Sequence, residues 1–328
     1  MQPDLSVITV TYNSELVISE FLATLDKIVE ALHLSVETII TDNASGDRTQ
    51  SILRDARQKH PALNVSILVN KNNIGLSKAL NYMLDTCRGR RIMVCNPDIA
   101  FTQSIREMLT ISEQRPKSVL VPELFHFNGA PQRETYRRFP TVLRIMSEYT
   151  TIGNSVPKLF DRIRKDYKYS DRRFRFPLDT LEQTSAVCML LEKEVAKMFS
   201  PFYDPAYPVY WNDVDMSKRA ETLGIQLAIV PATKIYHGLG QSGKKSHQEE
   251  LAMLFYSSHG MMGYAKRWGM HPNLLRLILF IDGYPRIIED LAKRILGRNT
   301  RRLGKAGRLA SFKETTRTQI LNFRCSLR

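Results

Sequence analysis

The first hundred residues alternate short apolar runs with longer stretches that are apolar on one face only. Apolar runs of about five to six residues are typical of buried strands. Amphipathic stretches are typical of helices packed on a sheet. This alternation predicts β-α-β units with a parallel sheet. In order, the predicted segments are the strand Leu5–Val10, the helix Ser14–Leu32, the strand Val36–Thr41, the helix Asp47–Lys59, the strand Val65–Val69, the helix Leu76–Cys87 and the strand Arg91–Cys95.

Regular patterning fades in the middle of the chain and returns near residue 183. Residues 125–182 combine Gly, Pro and a run rich in Arg, Lys, Tyr and Asp, which predicts an irregular insertion. The predicted segments that follow are the strand Gln183–Leu191, the helix Glu192–Phe199, a helix from Asn212 to Leu223, and the strands Gln226–Val230 and Thr233–Tyr236.

The C-terminal part has a different pattern. Residues 274–281 and 284–296 predict amphipathic helices whose polar faces are basic, as in segments that lie on a membrane surface. No apolar run approaches the roughly 18 residues of a spanning helix. We therefore predict a first domain over residues 1–245 and a basic helical extension over residues 246–328 that contacts an anionic membrane peripherally.

The net charge of +14 implies an anionic partner. Nucleic acid, anionic lipid and a phosphate-bearing substrate all fit that charge. Basic residues crowd the stretch beyond residue 290, where Glu314 is the one acid. These basic residues alternate with an apolar face rather than with stacking aromatic residues, and no RNA- or DNA-binding motif is present. We expect no nucleic acid partner, although a basic nucleic-acid-binding protein remains an alternative of another class.

The cysteines and the N-terminus bear on the compartment. Four cysteines form no metal-ligand or Cys-x-x-Cys pattern, and Cys95 and Cys188 fall in apolar runs that favour buried, reduced thiols. The chain passes from Met1 to its first apolar run without a basic region or a cleavage site, so no secretory signal is expected. Together these features predict a reducing, cytosolic compartment, and with the basic extension a peripheral position on the cytoplasmic face of a membrane.

Polar side chains follow each predicted strand of the first hundred residues. They are Thr11–Asn13, Asp42–Ser45, Asn70, and Asn96 with Asp98. Because ligands of open α/β sheets bind beyond the carboxyl ends of the strands, this pattern predicts a nucleotide-type site. A carboxylate such as Asp98 suffices there to hold Mg2+ or Mn2+ against a phosphate, since such ions take their other ligands from substrate and water.

Two acids and a histidine later in the chain add candidate chemistry. Asp213 and Asp215 follow an aromatic run, which favours a desolvated carboxylate suited to act as a base. Acids in the first turn of a helix also complement its dipole, so we expect one catalytic and one structural acid. His237 precedes a glycine-rich basic loop suited to a phosphate group, although a lone histidine also occurs without a ligand.

Seven segments together resemble the family 2 inverting glycosyltransferases of the GT-A fold, most closely the bacterial rhamnosyltransferases. The resemblance covers about residues 4–268 and implies an α/β, Rossmann-like fold with a mostly parallel central sheet flanked by helices. The family usually has Glu where this chain has Asn212, and often Gly where it has Ser185. The segments that carry the resemblance are Ser6–Asn13, Thr41–Ser45, Asn72–Gly75, Asn96–Ile99, Gln183–Ala186, Trp211–Asp215 and His237–Ser242.

The resemblance also implies roles for individual residues. Asp213 would be the general base, and Asp98 with His237 would hold Mg2+ or Mn2+. Ser185, Ala186, Trp211 and Asn212 would contact the sugar or the acceptor. The residues that would bind the nucleotide sugar are Thr11, Tyr12, Asn13, Asp42, Asn73, Gly75, Lys78, Asn96 and Asp98.

The function hypothesis is an inverting glycosyltransferase of O-antigen-type polysaccharide synthesis. It would move L-rhamnose from dTDP-rhamnose onto a lipid-linked oligosaccharide. The first alternative keeps the fold but takes a UDP-linked hexose such as galactofuranose, glucose or N-acetylglucosamine. Another alternative is an inactive transferase fold, which Asn96 and Asn212 favour in positions where an acid would serve the chemistry.

Overall fold

The computed structural model describes residues 2–238 and 247–282. The chain divides into two compact units, each built from two stretches of sequence. The first unit comprises residues 1–139 and 168–244, and the second comprises residues 140–167 and 245–328. The predicted domains, with a boundary at residue 245, divide the chain differently, because residues 140–167 belong with the second unit.

The elements alternate as the apolar pattern predicts. In chain order they are β1 (Leu5–Thr11), α1 (Ile18–Leu32), β2 (Val36–Asp42), α2 (Thr49–Lys59), β3 (Val65–Val69), α3 (Leu76–Thr86), β4 (Arg91–Cys95), β5 (Ile99–Phe101), α4 (Arg106–Gln114), β6 (Ser118–Phe125), β7 (Tyr136–Arg137), α5 (Val142–Tyr149), α6 (Thr151–Ser155), α7 (Pro157–Tyr167), β8 (Asp179–Thr180), β9 (Gln183–Thr184), β10 (Cys188–Glu192), α8 (Lys193–Phe199), α9 (Asn212–Thr222), β11 (Gln226–His237) and α10 (His247–Arg267).

One large sheet forms the centre of the first unit. Its strand order is β3-β2-β1-β4-β10-β6-β11-β5, with β8 also paired to β11. Every residue of β1, β2 and β4 is buried, as expected for central strands covered on both faces. The pairs from β3 to β4 are parallel, and so is β6 with β11. The pairs that β10 makes are antiparallel, so the sheet is mixed.

Two strand predictions need correction. The predicted strands Gln226–Val230 and Thr233–Tyr236 are one strand, β11, whose register shifts between Val230 and Lys234. Pro231 lies in this interval and has no N–H to donate, which accounts for a bulge there. In the other case, the predicted strand Gln183–Leu191 is split into β9 and β10, because β9 pairs with β7 in a separate two-stranded sheet.

The prediction of an irregular segment over residues 125–182 is wrong for its middle part, which forms α5, α6 and α7 in the second unit. These helices are short and locally capped, so they leave no long apolar period in the sequence. Thr141 accepts a hydrogen bond from the N–H of Arg144, and Thr150 accepts one from the N–H of Gly153. Each cap satisfies a backbone donor at the first turn of its helix.

Residues 272–282 of the second unit are also helical. The predicted amphipathic stretch at 284–296 lies outside the described residues. Within the described ranges, no helix combines the length and the apolar character needed to cross a bilayer.

Candidate active site

The carboxyl ends of β1 and β2 lie side by side, with Thr11 paired to Asp42. The hydroxyl of Thr11 donates to Asp42 Oδ2 over 3.0 Å. Ser45 donates to both carboxylate oxygens, and Gln50 donates to Oδ1 over 2.9 Å. Asp42 is fully buried and accepts four hydrogen bonds from its own chain. Its carboxylate therefore orders the loop that follows β2, and its contact with a nucleotide stays a prediction.

The loops after β1 and β2 are joined through Asn13. Its N–H donates to Ser45 Oγ over 2.9 Å, and its Oδ1 accepts from the N–H of Gly46 over 2.9 Å. Asn13 has φ of 50°, a conformation that asparagine tolerates better than most residues. Neighbouring Tyr12 keeps 39% of its surface exposed. The arrangement leaves an aromatic side chain accessible beside an ordered pair of loops.

The loop before α3 packs against the aromatic run that precedes α9. Asn73 Oδ1 accepts from the N–H of Gly75 over 3.0 Å. Gly75 has φ of 83°, and a Cβ there would lie 3.2 Å from Pro208, so a larger residue is doubly disfavoured. Ser77 N donates to the carbonyl of Pro208. Lys78 is exposed at the start of α3. The predicted nucleotide and acceptor segments are thus neighbours.

Asp98 and His237 are brought together although 139 positions separate them. β11 runs antiparallel to β5, with His237 opposite Ile99. The N–H of Gly238 donates to the carbonyl of Asp98, which ties the end of β11 to this turn. Both side chains are buried, and His237 Nε2 lies 3.4 Å from Asp98 Oδ1.

The Asp98 and His237 pair suits a divalent cation. Adjacent ligands of an octahedral ion with bonds of about 2.1 Å lie about 3 Å apart, close to the observed separation. Carboxylate oxygen and imidazole nitrogen are both ligands that Mn2+ accepts. Among the described residues no cluster of three or more metal-ligating side chains exists. The remaining coordination positions would therefore fall to a diphosphate and water.

His237 is held from behind by Gln132, a residue that the sequence pattern did not single out. Gln132 is fully buried, and its Oε1 lies 2.8 Å from His237 Nδ1. Its Nε2 donates to the carbonyl oxygen of His237 over 2.9 Å and contacts His126 Nδ1 at 3.1 Å. His126 in turn lies 3.2 Å from Glu134.

Asp213 lies in the first turn of α9, where its side chain is partly buried. Burial raises the pKa of Asp213 above its ordinary value, although the N–H of Val214, the charge of Arg137 and the N–H of Ala186 act in the opposite direction. Trp211, directly before α9, has φ of 69°, which is strained for a bulky side chain. A carboxylate with a raised pKa is better matched to proton transfer near neutral pH.

The second acid of α9 has a different environment. Asp215 is fully buried, and its Oδ2 accepts from Arg219 Nε over 2.8 Å. Arg219 also donates to the carbonyl oxygens of Phe199, Pro201 and Phe202. Burial and the ion pair with Arg219 favour a structural role for Asp215, and the expectation of one catalytic and one structural acid stays a prediction.

Two of the predicted acceptor residues, Ala186 and Asn212, contact Asp213. The N–H of Ala186 contributes to holding its carboxylate, and Ser185 is half-buried beside it in sequence. Asn212 Oδ1 accepts the N–H of Asp213, and its amide donates to Ser77 Oγ over 3.2 Å.

A short link joins the Asp213 surroundings to the Asp98 turn. The N–H of Asn96 donates to the carbonyl of Val187 over 2.8 Å. Val187 follows Ala186, whose own N–H faces Asp213. Both acids are therefore attached, through hydrogen-bonded backbone, to the same segment between β9 and β10.

Comparison with known proteins identifies relatives. A sequence model described as Glycosyl transferase family 2 matches residues 6–195. The N-acetylglucosaminyl-diphospho-decaprenol L-rhamnosyltransferase of Mycobacterium tuberculosis is 24% identical over 260 residues, which are 76% of this chain and 80% of the relative.

Solved structures share the fold at low sequence identity. The mannosyltransferase PcManGT from Pyrobaculum calidifontis, in complex with GDP-Man and Mn2+, has a TM-score of 0.53 and 13% identity; the match covers 100% of this chain and 88% of that one. GalNAc-T7 with UDP, GalNAc and Mn2+ has a TM-score of 0.55 and 15% identity, covering 72% of this chain and 43% of that one. The predicted GT-A fold is confirmed by these likenesses.

Proposed function

This chain belongs to glycosyl transferase family 2, and on that premise we propose that it transfers L-rhamnose from dTDP-rhamnose to a lipid-linked oligosaccharide with inversion. The observation that carries the reaction type is the pairing of a desolvated acid, Asp213, with a cation-binding pair, Asp98 and His237, through one backbone segment. The rhamnosyl donor and lipid-linked acceptor are supported by the relative from M. tuberculosis.

Asp213 is the proposed general base. In a single displacement, the acceptor hydroxyl oxygen forms a bond to the anomeric carbon while the bond from that carbon to the diphosphate oxygen breaks. The hydroxyl proton passes to the Asp213 carboxylate, and the electron pair leaves with the nucleoside diphosphate. One base is sufficient for this reaction, in contrast to the paired carboxylates of glycoside hydrolysis.

Asp98 and His237 would hold Mg2+ or Mn2+ against the departing diphosphate. A bound divalent ion supplies positive charge that stabilises the leaving group. The two side chains are buried and point at one another across 3.4 Å, so this chain provides a fixed, partly dehydrated position for that charge. Thr11, Tyr12, Asn13, Asp42, Asn73, Gly75, Lys78 and Asn96 are the proposed contacts of the nucleotide and sugar.

The donor nucleotide can be identified by thermal unfolding. We expect dTDP with Mn2+ to raise the melting temperature more than UDP with Mn2+ at equal concentration. A ligand at free concentration L that binds only the folded state stabilises it by RT ln(1 + L/Kd), and the tighter ligand therefore stabilises it more. At a hundredfold excess over the dissociation constant the gain is about 2.7 kcal/mol. A larger shift with UDP would favour the UDP-hexose alternative, and GDP serves as the control nucleotide.

We propose that the second unit holds the enzyme at an anionic membrane, where a lipid-linked acceptor resides. The helix at 272–282 supports this proposal, because four of its apolar side chains are each about half exposed and recur at helical spacing. They are Leu274, Leu277, Phe280 and Ile281. Lys158 and Arg162, exposed on α7 of the same unit, add the positive charge that attracts anionic headgroups. The cytoplasmic face of the inner membrane is the proposed location.

Vesicle binding tests the membrane proposal. The double substitution Leu277→Glu with Phe280→Glu is expected to weaken binding to vesicles containing phosphatidylglycerol by at least about tenfold, because burying each such side chain contributes about 1.5–3 kcal/mol. Phe176→Glu, on an exposed aromatic residue of the first unit, is the matched control and should bind normally. Binding that survives the double substitution contradicts the proposal. Binding to nucleic acid that depends steeply on salt, without binding to vesicles, would favour the alternative of a basic nucleic-acid-binding protein.

A further inference from the structure

We infer that Gln132 is a positioning residue that fixes His237 in the one tautomer able to bind a cation beside Asp98. The inference deepens the proposed function, because it rests on the Asp98 and His237 pair as the metal position. It assigns a role to a residue in a loop that carries no sequence signature. Gln132 lies between β6 and β7, 105 positions from His237.

The orientation of the Gln132 amide follows from its partners. The carbonyl oxygen of His237 can only accept a hydrogen bond, so the amide atom that lies 2.9 Å from it must be the NH2 nitrogen. The other amide atom, which faces His237 Nδ1 at 2.8 Å, is therefore the oxygen. Because an amide oxygen only accepts, His237 Nδ1 must carry the hydrogen.

The tautomer determines what faces Asp98. In a neutral imidazole with hydrogen on Nδ1, Nε2 has a lone pair and no hydrogen. Nε2 and Asp98 Oδ1 are then two electron-pair donors 3.4 Å apart. A charge-assisted hydrogen bond between them would be shorter, about 2.7–2.9 Å. The observed separation is better suited to two ligands of a shared ion than to an ion pair.

The NH2 group of the Gln132 side chain has a second partner besides His237. The second hydrogen of Gln132 Nε2 faces His126 Nδ1 at 3.1 Å, which leaves His126 Nε2 to donate to Glu134 over 3.2 Å. The backbone N–H of Gln132 donates to the backbone carbonyl of Leu124, which fixes the main chain at this position. Rotation of the amide by half a turn would set its NH2 against the N–H of His237 and its oxygen against two acceptors. The surroundings therefore hold Gln132 in one orientation.

Substitutions at this position separate an acceptor role from a packing role. Gln132→Met keeps the length of the side chain and removes its acceptor. Gln132→Glu keeps an acceptor for His237 Nδ1–H and removes the donors. If Gln132 acts by fixing the tautomer, Gln132→Met weakens Mn2+ binding in the presence of dTDP or UDP by about 10–100-fold, the usual effect of losing such an outer partner. Gln132→Glu restores affinity to within a few-fold.

Mn2+ affinity is measured by electron paramagnetic resonance on each purified full-length variant, with a thermal melt to establish that it is folded. Gln183→Met, a buried glutamine in β9, is the matched control and should bind Mn2+ normally. A folded Gln132→Met protein with unchanged affinity overturns the inference and leaves the proposed function intact. Equal losses in the Met and Glu variants also overturn it, since the two variants share only the loss of the NH2 donors and the acceptor oxygen would then not matter.

The tautomer itself can be observed without metal or substrate. In protein carrying isotope-labelled histidine, with His237 assigned by its loss in His237→Gln, nuclear magnetic resonance should find the hydrogen on Nδ1. Hydrogen on Nε2 in the wild-type protein would overturn the inference. In Gln132→Met we expect a mixture of both tautomers. A wild-type protein that binds donor nucleotide but no Mn2+ would contradict the metal position and the inference together, while sugar transfer stays testable.

Discussion

Asp213→Asn is expected to lower turnover by about 10²–10⁴-fold while donor binding stays near its wild-type strength. The substitution preserves the shape of the side chain but removes its capacity to take a proton from the acceptor hydroxyl. Initial rates with saturating donor, together with a calorimetric titration of the nucleotide, separate these two effects. Turnover that persists in Asp213→Asn at near wild-type rate would contradict the assignment of the base.

The same variant should be more stable than the wild-type protein at pH values above the raised pKa of Asp213. Burial raises the pKa of Asp213 in the folded state above its value in the unfolded chain. The folded state therefore binds more protons across that interval, and stability falls as pH rises through it. Above the raised pKa of Asp213 the full cost of the desolvated carboxylate is present, and the neutral amide removes it. For the wild-type enzyme, we expect activity to fall as pH is lowered through the raised pKa of Asp213.

Asp215→Asn is the matched contrast, since Asp215 lies two positions away on α9. Its removal leaves Arg219 buried without its carboxylate, and breaking such a pair costs about 3–5 kcal/mol. Chemical denaturation should therefore show opposite effects for the two variants. Asp213→Asn is expected to gain stability and lose turnover, whereas the main effect expected of Asp215→Asn is a loss of stability.

Asp98→Asn is expected to lower kcat by about two to three orders of magnitude and to abolish its dependence on Mn2+. A divalent ion contributes several kcal/mol of charge stabilisation to a departing diphosphate, and each 1.4 kcal/mol is a factor of ten in rate. The amide has no net charge to hold the ion, and its NH2 group offers no lone pair. Initial rates over a Mn2+ titration, before and after treatment with a chelator, measure the effect.

Another aspartate–histidine pair in the first unit provides the control. Asp26 Oδ2 lies 2.9 Å from His60 Nδ1, and both side chains are mostly buried. Asp26 belongs to the last half of α1 and His60 follows α2, so both lie towards the edge of the sheet where the parallel strands begin. Asp26→Asn should leave the response to Mn2+ unchanged. A wild-type enzyme indifferent to chelator would refute the role given to Asp98.

The predictable parts of the fold are those encoded locally. β1 and β2 are apolar along their whole length because both faces are covered, and their polar ends lie at the edge where ligands of such sheets bind. The helix predicted from Asn212 to Leu223 is α9, and Gly224, with φ of 63°, follows its end as a left-handed C-terminal glycine does. Each of these features depends on residues close in sequence.

The parts that were not predicted depend on distant contacts. The antiparallel insertion of β10 between β4 and β6 leaves no trace in the period of its side chains, because any fully buried strand is apolar throughout. The roles of Gln132 and Arg137 could not be predicted, because each depends on a contact with a residue distant in sequence. Gln132 contacts His237, and the charge of Arg137 acts on Asp213. Arg137 lay within a run of basic residues, where nothing distinguishes one arginine from the next.

The second unit is discontinuous in sequence, with α5–α7 inserted between β7 and β8 and its remaining helices beyond residue 244. A truncation near residue 245 would therefore leave α5, α6 and α7 without residues 245–328, which belong to the same unit. Excision of residues 140–167 alone would leave residues 245–328 without the other stretch of their unit. Attempts to isolate the catalytic half must remove both stretches and join Phe139 to Lys168 through a linker.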